Sequence, residues 1–238
     1  MQNVTHFDYL IIGTGLAGFQ LALELSKDPF FKDFTIGLID ASDKTINDKT
    51  WSFWEQGKGK FDDIVEKKWS IATFESKSIS LDIPMKSYQY KTIRSIDFYT
   101  WAKQHLSSKN NFKFIIDTIE SIVDAEHLQV IGKTQNYSAK HIFDSRIPKE
   151  FYSQKNNFTL IHQHFKGWFI ETETPCFKPE AFTMMDFRFQ YNNSTSFIYV
   201  LPFSETKALV EYTFFTPFLV EPKVYENALI NYLENELN

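Results

Sequence analysis

The sequence predicts an α/β fold in which a doubly wound parallel sheet is interleaved with a lobe of antiparallel strands. Three observations carry this expectation. The chain opens on a strand, a glycine turn, a helix and a second strand, a βαβ unit that implies parallel pairing. Short alternating runs fill residues from about 71 to 93 and again from about 158 onward, the pattern of antiparallel strands with one buried face. Helix- and strand-like runs at about 94–148 lie between them. The expected division is parallel-sheet elements at 1–50 and 94–148, antiparallel elements at 51–93 and 149–220, and a last helix at 221–238, all in one unit.

Each element has a local reason. "FDYLII" (7–12) is a short apolar run; "GTGLAG" follows, then the helical pattern "FQLALELSK", then the strand "FTIGLID" ending on Asp40. Residues 41–70 carry loop signals and the Trp-rich stretch "NDKTWSFWE", and "SISLDI" alternates as a strand does. "SIDFYTWAKQHLSS" predicts a helix with Ser95 as N-cap and Phe98, Trp101, Ala102 and Leu106 on one face. "FKFIID", "HLQVIG" and "HIFDSR" read as strands, the last running into a turn at Pro148. "FTLIHQHF", "GWFIET", "MMDFRFQ", "FIYVLPF" and "ALVEYTFF" read as five more. "KVYENALINYLENEL" is amphipathic, with Tyr225, Leu229, Tyr232 and Leu233 on one stripe in want of a partner surface.

The composition excludes several functions. Among 238 residues the net charge is −5 with basic residues scattered, which leaves no footprint for nucleic acid. One cysteine, Cys176, excludes an internal disulfide, and no Cys/His cluster has metal-binding spacing. No secretion signal and no membrane-length apolar run appears, so the expected location is cytoplasmic. The 25 Phe, 11 Tyr and 5 Trp make 17% of the chain, enough to line a site for a large apolar ligand as well as a core.

Gly13, Gly15 and Gly18 satisfy G-x-G-x-x-G. The first permits a tight turn, the second lets a pyrophosphate approach the backbone, and the third lets helix and strand pack closely. The whole turn, with Thr14, Leu16 and Ala17, opens a helix whose free N–H groups and positive dipole end suit that pyrophosphate. Asp40 ends the next strand 22 residues after Gly18, placed to accept hydrogen bonds from ribose hydroxyls and to repel a 2′-phosphate. A Rossmann-like FAD/NAD(P)-binding domain follows; the motif disfavours NADP and does not separate NAD from FAD.

The later motifs bring in a resemblance. "FDYLIIGTGLAG", "NDKTWSFWE", "YQYKTIRSIDFYTW", "FDSRIP", "HQHFKGWFIET", "MMDFR" with "YVLPFS", and "ALVEYT" occur in the order of the corresponding motifs of bacterial lycopene cyclases. The chain resembles that family, whose FAD-dependent members close β-ionone rings on carotenoids. Two departures stand out. Lys49 occupies a position where the family usually carries Arg, which keeps the charge and loses a planar bidentate donor. Family members also continue with a flavin-contacting, P-S-T-G-Y-like segment that nothing here matches, so residues 1–238 alone are expected to bind FAD weakly and not to cyclise lycopene.

The resemblance implies a redox-neutral cyclisation of lycopene with reduced FAD and a carboxylic acid as proton donor. In "ALVEYTFF" alternation puts Val210, Tyr212 and Phe214 on one face and Leu209, Glu211 and Thr213 on the other. By pattern alone Glu211 is an ordinary solvent-facing acid; its place in the family's acidic motif makes it the candidate catalyst. An acid walled by polyene and aromatics resists ionisation and keeps its proton near neutral pH.

Other residues carry two readings each. Trp51, Phe53 and Trp54 either face a cationic intermediate or pack the core. Asp186 and Arg188, on one face of "MMDFR" by alternation, either meet substrate or form a supporting ion pair. Asp144 and Arg146 sit at a strand end, where open parallel sheets bind ligands, so cofactor contact is one reading; Lys49 is a further cofactor candidate by resemblance. His162 and His164 lack a third ligand and read as structural. The rival functions are another FAD-dependent oxidoreductase, of monooxygenase or desaturase type, and an inactive cyclase fragment. With a substrate that dissolves only in the bilayer, peripheral contact with the inner face of the membrane is expected.

Overall fold

The computed structural model describes residues 4–124, 128–148, 151 and 159–236. In chain order the first elements are β1 (Val4–Ile12), α1 (Leu16–Leu25), β2 (Ile36–Asp40), β3 (Thr50–Gln56), β4 (Lys67–Trp69), β5 (Ile71–Glu75), β6 (Ser80–Pro84), β7 (Tyr88–Arg94) and α2 (Ser95–Ser107). There follow β8 (Phe112–Ile116), β9 (Ile119–Val123), β10 (Leu128–Gly132), β11 (Asn136–Asp144), β12 (His162–Glu171), β13 (Ala181–Asp186), β14 (Thr195–Pro202), β15 (Lys207–Thr216) and α3 (Pro222–Glu236). They form two compact units, Met1–Trp51 with Ile93–Ser153 and Ser52–Thr92 with Gln154–Asn238.

The first unit holds a six-stranded sheet in the order β8-β2-β1-β11-β10-β9. The four strands β8, β2, β1 and β11 run parallel; β10 and β9 add an antiparallel end. Parallel strands are covered on both faces, which is why β1 and β2 read as near-continuous apolar runs. Leu10, Ile12 and Ile39 pack with Val130 and Tyr137 in one cluster. Phe19 of α1 meets Phe98 of α2 edge-on at 6.1 Å. The carboxyl ends of β1, β2 and β11 therefore come together at Gly13, Asp40 and Asp144.

The second unit holds a six-stranded sheet, β12-β15-β14-β13-β5-β6, and a three-stranded sheet, β3-β7-β4. In the larger sheet only β13 and β5 pair in parallel. Helix α3 covers one face, where Tyr225, Leu229 and Tyr232 pack on Ile198, Val200, Val210, Tyr212 and Phe214. The stripe expected to want a further partner is thus already covered within this unit.

Several other local expectations are corrected. "NDKTWSFWE", read among loop signals, contributes most of β3, because its alternating aromatics pair as a strand. "FTLIHQHF" and "GWFIET" form one strand, β12, since Gly167 continues it without a break; Phe158 lies outside the described residues. In "MMDFRFQ" the strand stops at Asp186, whose carboxylate accepts the Arg188 N–H and turns the chain into a short 3₁₀ helix. Ser95 is not the N-cap of α2. Arg94 holds that position, and the Ser95 hydroxyl donates instead to Asp48 at 2.9 Å. Tyr99, rather than Trp101, joins the buried face of α2, because its hydroxyl finds Asp48 at 3.1 Å. Strands β4 and β9 were not anticipated; β9 is mostly exposed and carries too little apolar alternation to announce itself.

Candidate functional site

The glycine turn follows from backbone geometry. Gly13 has φ +90°, a conformation that disfavours any side chain, and its N–H donates to the Ile39 carbonyl at 2.7 Å. A Cβ on Gly18 would overlap the Gly13 carbonyl oxygen, so helix and turn touch there through backbone alone. Gly15 is different. A Cβ on it would meet nothing within 4 Å, and as the residue before α1 it offers no side-chain cap. The first N–H groups of the helix, from Leu16, Ala17 and Gly18, thus adjoin an open cradle suited to a pyrophosphate. Thr14 is buried behind it.

Asp40 closes one side of this turn. Its carboxylate accepts the Thr14 N–H at 2.7 Å and the Ser42 N–H at 3.0 Å, and pairs with Lys44 at 3.1 Å. Burial alone would raise its pKa; the Ser42 and Thr14 amides and the Lys44 ammonium outweigh that and hold it below the usual carboxylate range. Asp144 pairs with Arg146, whose Nη1 also donates to the Ile119 carbonyl at 2.5 Å. Between them Ser145 bonds the Ile12 carbonyl, under the glycine turn. Gly13, Asp40 and Asp144 thus share one end of the sheet. Lys49 is exposed, and its backbone is tied to Ser95 through both N–H and C=O.

Glu211 lies mid-strand in the second unit, opposite Gly167 on β12 and Tyr199 on β14. Alternation places it on the face away from α3. Its neighbours on that face include Leu209 and Phe215 on its own strand, Phe165 and Phe169 on β12, and Phe197 and Leu201 on β14. Phe165 and Phe169 are 58% and 69% exposed, so much of this apolar face is open. The Glu211 carboxyl is partly buried, and burial raises its pKa to about 7 with no other cause. An acid of that pKa holds a transferable proton at neutral pH.

Two tyrosines approach it. Tyr199 donates to the Tyr90 hydroxyl at 3.0 Å, and burial pushes both phenols up, with the Glu211 charge adding to each. Trp54, 46% exposed, stands 4.7 Å from the Tyr90 ring and so joins this aromatic cluster. Phe53 points elsewhere and meets Phe61 edge-on at 6.5 Å. Trp51 belongs to the first unit and packs on Phe98 at 5.5 Å. Asp186 and Arg188 form a two-bonded ion pair, and Arg188 also reaches Glu236 of α3 at 2.8 Å. They share the α3 face with Ile198 and Tyr212, opposite Glu211, so the structure does not bring them together with it. His164 bonds Thr216 and Tyr225, a packing role.

Gly167, Tyr90 and Tyr199 escaped sequence reasoning as site residues. A glycine in a strand interior is itself a sign of close approach, and here the approaching group is Glu211. The tyrosines gave no such sign, because Tyr199 reaches Glu211 only by the pairing of β14 with β15, and Tyr90, on β7 of the smaller sheet, only by its hydrogen bond to Tyr199. Among the described residues, no group of three or more His, Cys, Asp or Glu could hold a metal ion, and no helix is long and apolar enough to cross a membrane.

Known proteins fit this geometry. The chain is similar to a structure titled geranylgeranyl bacteriochlorophyll reductase-like from Thermoplasma acidophilum, with 11% identity and TM-score 0.67 over 98% of this chain and 62% of that one. It is also similar to flavin-dependent brominase Bmp2 (12% identity, TM-score 0.64, 98% and 62% covered) and to halogenase PltM in complex with phloroglucinol and FAD (11%, 0.64, 94% and 55%). These likenesses establish a Rossmann-like, FAD-binding type of fold. A lycopene β-cyclase from Pantoea ananas is 25% identical over 218 residues, which is 87% of this chain and 52% of the relative, so the chain spans about half the length of the curated relative it matches. The family description "Lycopene cyclase protein" matches residues 8–237, nearly the whole chain, and the protein belongs to the lycopene cyclase family.

Proposed function

We propose that the protein takes part in lycopene β-cyclisation, a redox-neutral closure of the polyene's ends into β-ionone rings. The observation that carries this reading is Glu211: a carboxyl lifted to about pKa 7 by burial, set on an apolar, aromatic sheet face. The ends of lycopene present only alkenes, so the reaction begins with a proton. Glu211 donates it to C2, the neighbouring double bond attacks C1, and loss of a proton from C6 completes the ring. Atoms balance without an oxidant. Trp54 and Tyr90 offer ring faces that attract positive charge by about 0.5–2 kcal/mol each.

The turn from Gly13 to Gly18, with Asp40, would hold the ADP half of FAD; Asp144 and Arg146 adjoin it at the same sheet end. Reduced FAD, when bound, supplies an electron-rich ring that stabilises positive charge. The open space at Gly15 supports the fit. The exposed Phe165 and Phe169 support a peripheral membrane encounter, since lycopene dissolves only in the bilayer.

The test is expression in lycopene-accumulating cells of residues 1–238 beside a version extended by the family's flavin-contacting segment, with chromatography and mass analysis of the pigment. Ring-closed product of unchanged mass is expected from the extended version, and its loss in Glu211→Gln. Added oxygen or lost hydrogen would instead identify a monooxygenase or desaturase.

A further inference from the structure

In β12 the sequence Phe165–Lys166–Gly167–Trp168–Phe169 runs directly beside Glu211. Phe165, Gly167 and Phe169 share the Glu211 face, so the glycine leaves a gap between two phenylalanines whose Cα atoms lie about 13–14 Å apart along the strand. The gap is in use. A Cβ built on Gly167 would stand 2.7 Å from Glu211 Cγ and 3.2 Å from its Oε1, so the acid's side chain lies across the glycine. No turn or positive φ calls for a glycine here, because β12 and β15 pair without irregularity over ten residues. A glycine inside a regular strand otherwise weakens it.

Resting on the reading of Glu211 as proton donor, we propose that Gly167 is its positioning residue: the absent side chain opens a notch between Phe165 and Phe169 that holds the Glu211 carboxyl away from the hydroxyl of Tyr199 on the opposite neighbour strand and from that of its partner Tyr90. The titratable groups on the other side are Tyr199 of β14 and its partner Tyr90 of β7; on the near side the only other charges that β12 and β15 present on this face are Glu171 and Lys207, paired with each other at 3.3 Å and four residues along from Gly167 and Glu211. Filling the notch obliges Glu211 to leave its staggered well, and the well across the strand turns the carboxyl toward those hydroxyls. Phenol donors favour the carboxylate form, so the displaced acid ionises more easily.

The experiment titrates the protein labelled with ¹³C-glutamate, the Glu211 signal being assigned by its absence in Glu211→Gln. A wild-type midpoint near 7 is expected, lower by at least one pH unit in Gly167→Ala and recovered in Gly167→Ala/Tyr199→Phe. An unchanged midpoint in folded Gly167→Ala would overturn the proposal. Should Gly167→Ala fail to fold, Gly167→Ala/Glu211→Ala removes the two nearest atoms and leaves only the end of the Leu209 side chain, 3.3 Å away, which needs to give by a few tenths of an ångström. Restored folding then supports the notch, whereas continued failure means that Gly167 serves the backbone and overturns it. The titration reports the carboxyl rather than the reaction, so a shifted midpoint without ring formation in any variant counts against the cyclase reading and not against the notch.

Discussion

Asp40 and Glu211 are both carboxylic acids on β-strands, and their surroundings push them in opposite directions. Asp40 ends a parallel strand, where two amides and an ammonium converge and hold it ionised. Glu211 sits in mid-strand on an aromatic face, where burial alone acts and holds its proton to about pH 7. One acid is a fixed acceptor suited to hydroxyls; the other is a proton store suited to a substrate without heteroatoms. Strand position gives one part of the contrast, since strand ends meet turns with free N–H groups while mid-strand amides are spent on the ladder; the Lys44 ammonium and the burial of Glu211 give the rest.

The contrast is broken most completely by Glu211→Gln, which keeps the shape and removes the proton. Ring formation should fall by about 10²-fold or more, with flavin retention unchanged; near-normal turnover of lycopene would return Glu211 to an ordinary surface acid. On the Asp40 side the largest effect should come from Gly18→Ala, whose Cβ has only backbone to displace. Denaturant unfolding should show a loss of about 3 kcal/mol or more. In a chain extended so that it binds flavin, Gly15→Val, facing open space, should fold normally yet fail to retain flavin on gel filtration, separating the cradle from the packing contact.

Stability against pH sharpens the comparison further. Between about 4.5 and 7 native Glu211 keeps a proton that the unfolded chain releases, so its contribution falls as pH rises through that window, by up to about 3 kcal/mol. Denaturation series at pH 5 and pH 8 should show wild type losing this stability and Glu211→Gln losing much less; parallel curves would refute the raised pKa. Asp40 has the opposite sign. Its lowered pKa contributes stability above the ordinary aspartate range, lost as pH falls through its native value. The smallest effect belongs here: Asp40→Ala leaves the Thr14 N–H without its acceptor and should cost about 1–2 kcal/mol, measured at pH 7.

The two acids also differ in how legible they were. Asp40 could be read from spacing, because strand, turn and helix are local and G-x-G-x-x-G prescribes what lies around them. The face of Glu211 was legible too, since alternation in "ALVEYTFF" is a property of any strand. Its environment was not. Gly167, Tyr199 and Tyr90 stand 44, 12 and 121 residues away in sequence; strand pairing brings in the first two, and the Tyr199–Tyr90 hydrogen bond brings in the third from the smaller sheet. Ser95 misled for a related reason: its local reading as a cap gave way to a hydrogen bond with Asp48, 47 residues away. "MMDFRFQ" misled locally, because the Asp186 carboxylate takes the Arg188 amide and ends the strand that alternation would have continued.

By itself the sequence determined the βαβ opening, the glycine turn with its acid, the alternation of β15 and the apolar stripe of α3, all set by bonds and periodicities within a few residues. Tertiary structure alone decided what covers that stripe, which face Asp186 and Arg188 share, and which side chains surround Glu211. Those depend on register between strands far apart in the chain, and a shift of one residue would turn each of them to the other face.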